Sequence, residues 1–368
     1  MKIAVAIDSF KGSLSSMEAG NAVKEAARRL GHQVVVKPMA DGGEGTVEAL
    51  ASGLAAERIT VSVMDPLGRP VDAVYCILKD TNTAVIEMAA AAGITLIEAS
   101  ERNPLHTTTY GVGELIRDAI NRGCRKFIVG IGGSATNDGG TGMLAALGYE
   151  FLDEAGNPIA PGAKGLEKLA EIRADKVLPQ LKDCTFRIAC DVNNPLCGER
   201  GCSAVYGPQK GADAQMIRDM DGWLGRFAKL SGADPDTPGA GAAGGLGFAF
   251  LAFTKAELKS GIDIVLEEIG LERDIMDADL VITGEGRLDS QSVMGKAPVG
   301  VAGLAKKYGK KVIAFSGCVT EEAEVCNDYG IDAFFPVLRT VCTLEEALNP
   351  ENAYKNLRAT AYQVFRLL

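Results

Sequence analysis

The chain has 368 residues, 47% of them apolar, and a formal net charge of −10. That length suits two domains with sizeable cores, and the acidic balance without any Lys/Arg block argues against nucleic-acid partners, which need clustered positive charge. Nine cysteines without a CxxC pair, and only two histidines, give no thiolate-metal pattern and read as reduced, buried thiols of a cytoplasmic protein.

The start, MKIAVAIDSF, reads as a strand, because its apolar part is too short for a signal peptide and is broken by Asp8. No apolar run approaches the roughly 18 residues of a membrane span. Ser15 and Glu18 have capping-box spacing and predict a helix to about Leu30, ended by Gly31. QVVVKPM follows as a strand, then a helix over about 44–52, then the strand RITVSV at 58–63. The middle is less regular. It offers paired strands near 70–88, strands at 126–131 and 185–190, and helices near 213–231 and 244–254. ADPDTPGAGAAGG, 233–245, reads as a mobile loop. The last third alternates again, with strands at 278–284, 311–317 and 331–337 and a helix near 297–308. The final helix carries Leu357, Ala361, Val364, Phe365 and Leu368 on one face.

Strands alternating with crossover helices predict a doubly wound, Rossmann-like parallel sheet built from both termini. The expected domains are 1–64 plus 271–368, with a second α/β domain inserted over 65–270 and the active site in the cleft between them. In such sheets ligands bind beyond the carboxyl ends of the strands. The strands here lead into polar segments: Asp8-Ser9-Phe10-Lys11, Asp41-Gly42-Gly43-Glu44, Asp65-Pro66-Leu67-Gly68, and Gly284-Glu285-Gly286-Arg287-Leu288-Asp289. With the order 3-2-1-4-5-6, Asp8 and Lys11 would face Glu285, Arg287 and Asp289. Two cations and three carboxylates at one crevice suit a metal-nucleotide and an acid. Asp41 could equally cap a turn, whereas the Asp8–Lys11 and Glu285–Asp289 clusters read as functional.

The middle adds three more stretches. Residues 128–142, IVGIGGSATNDGGTG, hold six glycines after an apolar strand. Asp191-Val192-Asn193-Asn194 follows the strand FRIAC, and Tyr206-Gly207-Pro208-Gln209-Lys210 comes next. No GxxxxGK[ST], HRD or DFG occurs, but backbone N–H groups at glycine-rich turns bind phosphate without those motifs. Gly130-Ile-Gly132-Gly-Ser-Ala135 also fits a dinucleotide fingerprint, whose acid about 20 residues on would be Glu150 or Asp153.

The blocks DSFKGS (8–13), DGGEGT (41–46), GIGGSATNDGG (130–140), DVNNPLCG (191–198), GPQKGA (207–212) and TGEGRLDSQS (283–292), in this order, resemble bacterial glycerate kinase of type 1 from end to end. The resemblance implies ATP-dependent phosphorylation of D-glycerate with Mg²⁺, on a two-domain α/β fold. The product it implies is 2-phosphoglycerate, or 3-phosphoglycerate in other members. Phosphoryl transfer is mostly positioning and charge stabilisation, and the residues supply each part. Asp191 is the expected base. Lys11 and Arg287 stabilise the phosphoryl group or hold the carboxylate. Asp8 and Asp289 are the candidate Mg²⁺ partners. Candidate substrate or phosphate contacts are Ser9, Asp41, Gly42, Gly43, Gly132, Gly133, Ser134, Asn137, Asn193, Lys210, Gly284, Glu285 and Gly286. The competing readings are a dinucleotide-dependent hydroxy-acid oxidoreductase and a non-catalytic small-acid binding protein.

Overall fold

The computed structural model describes residues 1–39, 50, 54–293 and 295–368. The N-terminal segment holds β1 (Lys2–Ile7) and β2 (Gln33–Val36). The middle holds β3 (Ala56–Met64), β4 (Pro70–Leu78), β5 (Thr83–Glu87), β6 (Lys126–Gly130), β7 (Glu150–Leu152), β8 (Glu171–Arg173), β9 (Thr185–Ala189) and β10 (Ala256–Lys259). β11 (Leu280–Leu288), β12 (Lys311–Val319) and β13 (Ala333–Pro336) complete the set. The chain divides into two compact units, Met1–Leu54 with Ser260–Leu368, and Ala55–Lys259.

The first unit is a parallel sheet in the order β13-β12-β11-β1-β2. It is built from both ends of the chain, as the alternation of strands and helices predicts. The central stretches of its strands, such as residues 3–7, 280–282 and 312–315, are apolar because both faces are covered. Ile3, Val5 and Ile7 pack with Ala19, Val23 and Leu357, while Ala4 and Ala6 are buried on the opposite face. The helices Ser16–Arg28 and Pro350–Phe365 pack together, and Ala297–Lys307 lies against β11 and β12. The capping box forms: Ser15 N–H donates to Glu18 Oε2 at 2.8 Å and Glu18 N–H returns to Ser15 Oγ at 3.3 Å. Gly31, in the left-handed region at φ 78°, closes that helix.

The order differs from 3-2-1-4-5-6 because RITVSV is not a third parallel strand of this sheet. It lies in β3, which pairs antiparallel with β4 inside the other unit. Asp65 turns the chain there: its Oδ1 accepts the N–H groups of Leu67 and Arg69, both at 2.8 Å. The stretch read as a strand end before a crossover is therefore a hairpin turn made by an Asp side chain. The units accordingly divide at Leu54/Ala55 and Lys259/Ser260, with the helix Gly261–Glu268 in the first.

The second unit is a six-stranded sheet, β10-β9-β6-β5-β4-β3, parallel from β10 to β5 and antiparallel beyond it. Its core includes stacked Phe127 and Phe186, with ring centroids 4.7 Å apart, and Phe250 tilted against Phe186. The segment expected to be a mobile loop is in its second half a packed turn. Ala240 to Gly245 are buried, and the helix Ala242–Phe253 contains left-handed backbone at Ala243, Gly244 and Gly245.

Candidate active site

In the first unit, the ends of β1 and β11 run side by side, Ile7 opposite Gly284. Asp8 N–H donates to the Gly284 carbonyl at 2.9 Å, and Asp8 Oδ1 accepts the N–H of Ser9 at 2.6 Å. A Cβ added to Gly286 would stand 3.2 Å from the backbone nitrogen of Lys11. Glycine there lets the two strand ends touch. Asp8 is buried, Ser9 half-buried and Lys11 exposed.

Beyond them lies a charged cluster. Glu285, only 8% exposed, accepts a hydrogen bond from the Ser292 hydroxyl. Lys296 Nζ lies 3.7 Å from Glu285 Oε2 and 3.9 Å from Asp289 Oδ1. Arg287 Nε lies 3.1 Å from Asp289 Oδ2, with the Arg287 side chain largely exposed. Ser16 fixes the neighbouring chain by donating to the Ile7 carbonyl at 2.6 Å and accepting the N–H of Met39 at 2.7 Å. Asp41, Gly42 and Gly43, and the helix expected over 44–52, lie outside the described residues apart from Leu50.

In the second unit, the glycines of 128–142 divide into two sets. Gly132 is exposed, with nothing within 4 Å of where a Cβ would stand, and Gly133 is half-buried at φ 69°. Gly139 and Gly140 are buried, and Gly139 N–H donates to the Gly244 carbonyl at 3.0 Å. A Cβ on Gly244 would collide with the carbonyl oxygen of Thr136, and one on Gly245 would stand 2.8 Å from Gly139 Cα. One set therefore opens to the surface, and the other packs backbone on backbone.

Asp138 ties the loop down. Its carboxylate accepts the N–H and Oγ1–H of Thr109 at 2.8 and 2.9 Å, and the N–H groups of Gly140 and Gly142 at 3.0 and 3.3 Å. Burial pushes this carboxyl upward, against the lowering effect of those donors. Lys210 lies beneath, 2% exposed, donating to Ser134 Oγ at 2.7 Å and the Thr136 carbonyl at 2.6 Å. Burial pulls its ammonium down to about 8, partly offset by Cys202 and Asp138. Asn137 is wholly buried and donates to Ser203 Oγ at 2.9 Å.

Lys210 and Asn137 direct their polar ends into the protein because the loop's own oxygens and Ser203 need donors there. Ser134 Oγ is likewise taken by Lys210. Asp191 and Asn193, after β9, are both exposed. Asn194 is structural, donating to the Arg200 carbonyl and accepting the Tyr206 hydroxyl at 2.7 Å. Sequence reasoning passed over Lys296, Ser292 and Asp138. The signal for Lys296 was its position immediately before a helix, where the dipole disfavours a cation unless carboxylates surround it.

The dinucleotide fingerprint loses its geometry. Its helix should begin within the glycines, but the helix after β6 starts only at Thr141, beyond the Asp138 knot. Of its candidate acids, Glu150 pairs with Lys176 at 2.7 Å and Asp153 caps a turn through Ala155 and Asn157. Among the described residues, no three His, Cys, Asp or Glu side chains converge as a metal site, and no helix is long and apolar enough to cross a membrane.

A sequence model of the glycerate kinase family matches residues 3–368. The chain belongs to the glycerate kinase family. It is 49% identical over 364 residues to a glycerate 2-kinase of Escherichia coli, covering 97% of this chain and 95% of that protein. It is 46% identical over 375 residues to a glycerate kinase of Haemophilus influenzae, covering 100% and 99%. A solved structure from Salmonella typhimurium LT2, carrying the name glycerate kinase 2, superposes with a TM-score of 0.89 at 48% identity, covering 99% of this chain and 97% of the other. The chain is thus a kinase that uses ATP to phosphorylate an alcohol group of a small molecule, on the two-unit α/β fold described above.

Proposed function

We propose that this glycerate kinase transfers the γ-phosphoryl group of ATP to D-glycerate, giving 2-phosphoglycerate. The observation that supports this most is the junction of β1 and β11, which joins Asp8, Ser9 and Lys11 to the Glu285–Lys296–Asp289–Arg287 cluster. Such a cluster offers cations to a transferring phosphoryl group and carboxylates to its counter-ion. Arg287 and Asp289 form an exposed pair worth little by itself. Arg287 can therefore exchange that carboxylate for a phosphoryl or substrate oxygen at small cost.

Lys11 and Arg287 hold the charge that spreads over the phosphoryl oxygens. The exposed carboxylate of Asp191 takes the proton from the attacking hydroxyl. Gly132 and Gly133 present N–H groups at the open end of their loop, while Asn137 and Lys210 support that loop from beneath. Asn193, Gly284, Glu285 and Gly286 complete the polar surroundings. Mg²⁺ neutralises the phosphates when bound. A nucleotide-borne Mg²⁺, which is ordinarily held by one or two carboxylates, would fit this donor set. Asp8 and Asp289 are the carboxylates assigned to it.

A coupled ADP-release assay with D-glycerate and Mg-ATP, followed by phosphorus NMR of the product, tests the reading. Glycerate-dependent ADP release with a 2-phosphoglycerate signal supports it. A 3-phosphoglycerate signal moves the site of transfer. ATP binding without turnover would call for a different hydroxy acid.

A further inference from the structure

The second unit holds a cavity of about 420 Å³ that none of the roles above uses. It lies at the ligand-binding end of its sheet. Met64, Leu67 and Gly68 line it from the end of β3, and β3 runs in the same direction as β5 and β6. Another part of the lining is Thr108, Thr141 and Gly142; Thr108 and Gly142 donate to the Asp138 carboxylate, and Thr141 to the Asp138 backbone carbonyl. Thr107 Oγ1 donates to the Ala135 carbonyl at 2.9 Å, and Thr108 N–H donates to the Pro66 carbonyl at 2.9 Å. The cavity wall and the glycine loop after β6 are thus bonded into one piece.

The rest of the lining is mainly apolar and includes Tyr110, Tyr149 and Ile159, all half-buried. Tyr149 is already fixed: its hydroxyl donates to the Phe253 carbonyl at 3.1 Å and its ring meets Phe253 edge-on at 5.2 Å. A preset aromatic wall with polar groups at its margin (Thr108, His106 and Glu150) suits a flat heteroaromatic ligand. Of the two substrates, glycerate is a small polar acid with no apolar face to bury. The purine of ATP is the one broad apolar surface available.

We infer that this cavity takes the purine ring of the nucleotide. The inference rests on the kinase reading and adds the subsite that reading lacks. Ala145, an exposed cavity-lining residue in the short helix after the Asp138 knot, provides the test. Ala145→Trp fills the cavity and should raise KM for ATP at least tenfold, with KM for D-glycerate unchanged. In parallel, 8-azido-ATP photolabelling of the wild-type chain, competed by ATP and not by glycerate, should mark peptides containing Tyr110 or Tyr149. A wild-type KM for ATP in Ala145→Trp, or labels elsewhere, overturns the inference. Should Ala145→Trp fail to fold, the wild-type labelling decides alone. Labelling at Tyr110 or Tyr149 in a protein that does not phosphorylate glycerate would keep the purine site and remove the glycerate assignment instead.

Discussion

Lys210 is wholly buried, and its ammonium serves the oxygens of Ser134 and Thr136. Burial lowers it to about 8 from an ordinary 10.5. Between those two values the unfolded chain binds the proton and the folded one releases it, so the stability contributed by this group rises with pH. The cost of burying the charge is present in full below about pH 8 and is relieved as pH climbs toward 10.5. Wild type should therefore gain about 2 kcal/mol relative to Lys210→Met between pH 7.5 and 9.5, read by urea unfolding at both values. Asp191 is the opposite case. It is exposed, so Asp191→Asn should leave urea stability within about 0.5 kcal/mol while lowering kcat by roughly 10²–10⁴. An unchanged kcat would remove it from the base role. At this scale the position of polar residues at the ends of apolar strands was legible: Asp8 and Lys11 follow β1, Glu285 lies in the last part of β11, and Asp191 follows β9. The sequence was least informative where a polar side chain turns inward. Nothing in GPQKGA says that Lys210 points at Ser134 rather than at a ligand, because that depends on what lies above it in the fold.

Among the elements, the turn Ala243–Gly245 and the loop Thr136–Gly140 explain each other. Gly244, at φ 67°, has no room for a side chain because the Thr136 carbonyl fills that space. Gly232 is also left-handed, at φ 72°, but has nothing within 4 Å. Gly244→Ala should cost roughly 1–3 kcal/mol from its backbone alone, with the clash adding to it. Gly232→Ala should cost the backbone part only. Thermal unfolding of both variants against wild type checks the difference. The glycines of 128–142 were readable as a place of close approach, but not that Gly130, Gly139, Gly140 and Gly142 approach other segments of the chain. The same limit misplaced β3. An alternating strand looks the same whether its neighbour runs parallel or antiparallel, and the short Asp65–Gly68 turn was the better guide to its partner.

For the whole molecule, strand–helix alternation at both ends was enough to read a single parallel sheet from the two termini, because continuous apolar strands need helices on both faces. The inserted unit was legible as a separate region and not as a six-stranded mixed sheet, since its long connections carry no regular period. Ala55–Lys259 is continuous in sequence and has its own core of Phe127, Phe186, Phe227 and Phe250. A fragment of these residues should fold alone and unfold cooperatively in urea, followed by far-UV circular dichroism. A broad, non-cooperative loss of signal would mean that its stability depends on the remainder of the chain.

The backbone contact between Thr136–Gly139 and Gly244–Gly245 also orders events in time. During synthesis the glycine loop leaves the ribosome well before its packing partner. Until the helix Ala242–Phe253 has emerged and docked, the loop lacks the surface that shapes it. A nascent chain that stops short of Gly244 can pair most of its strands and still have no formed glycine loop. The shape of that loop then arrives with one late turn of three residues.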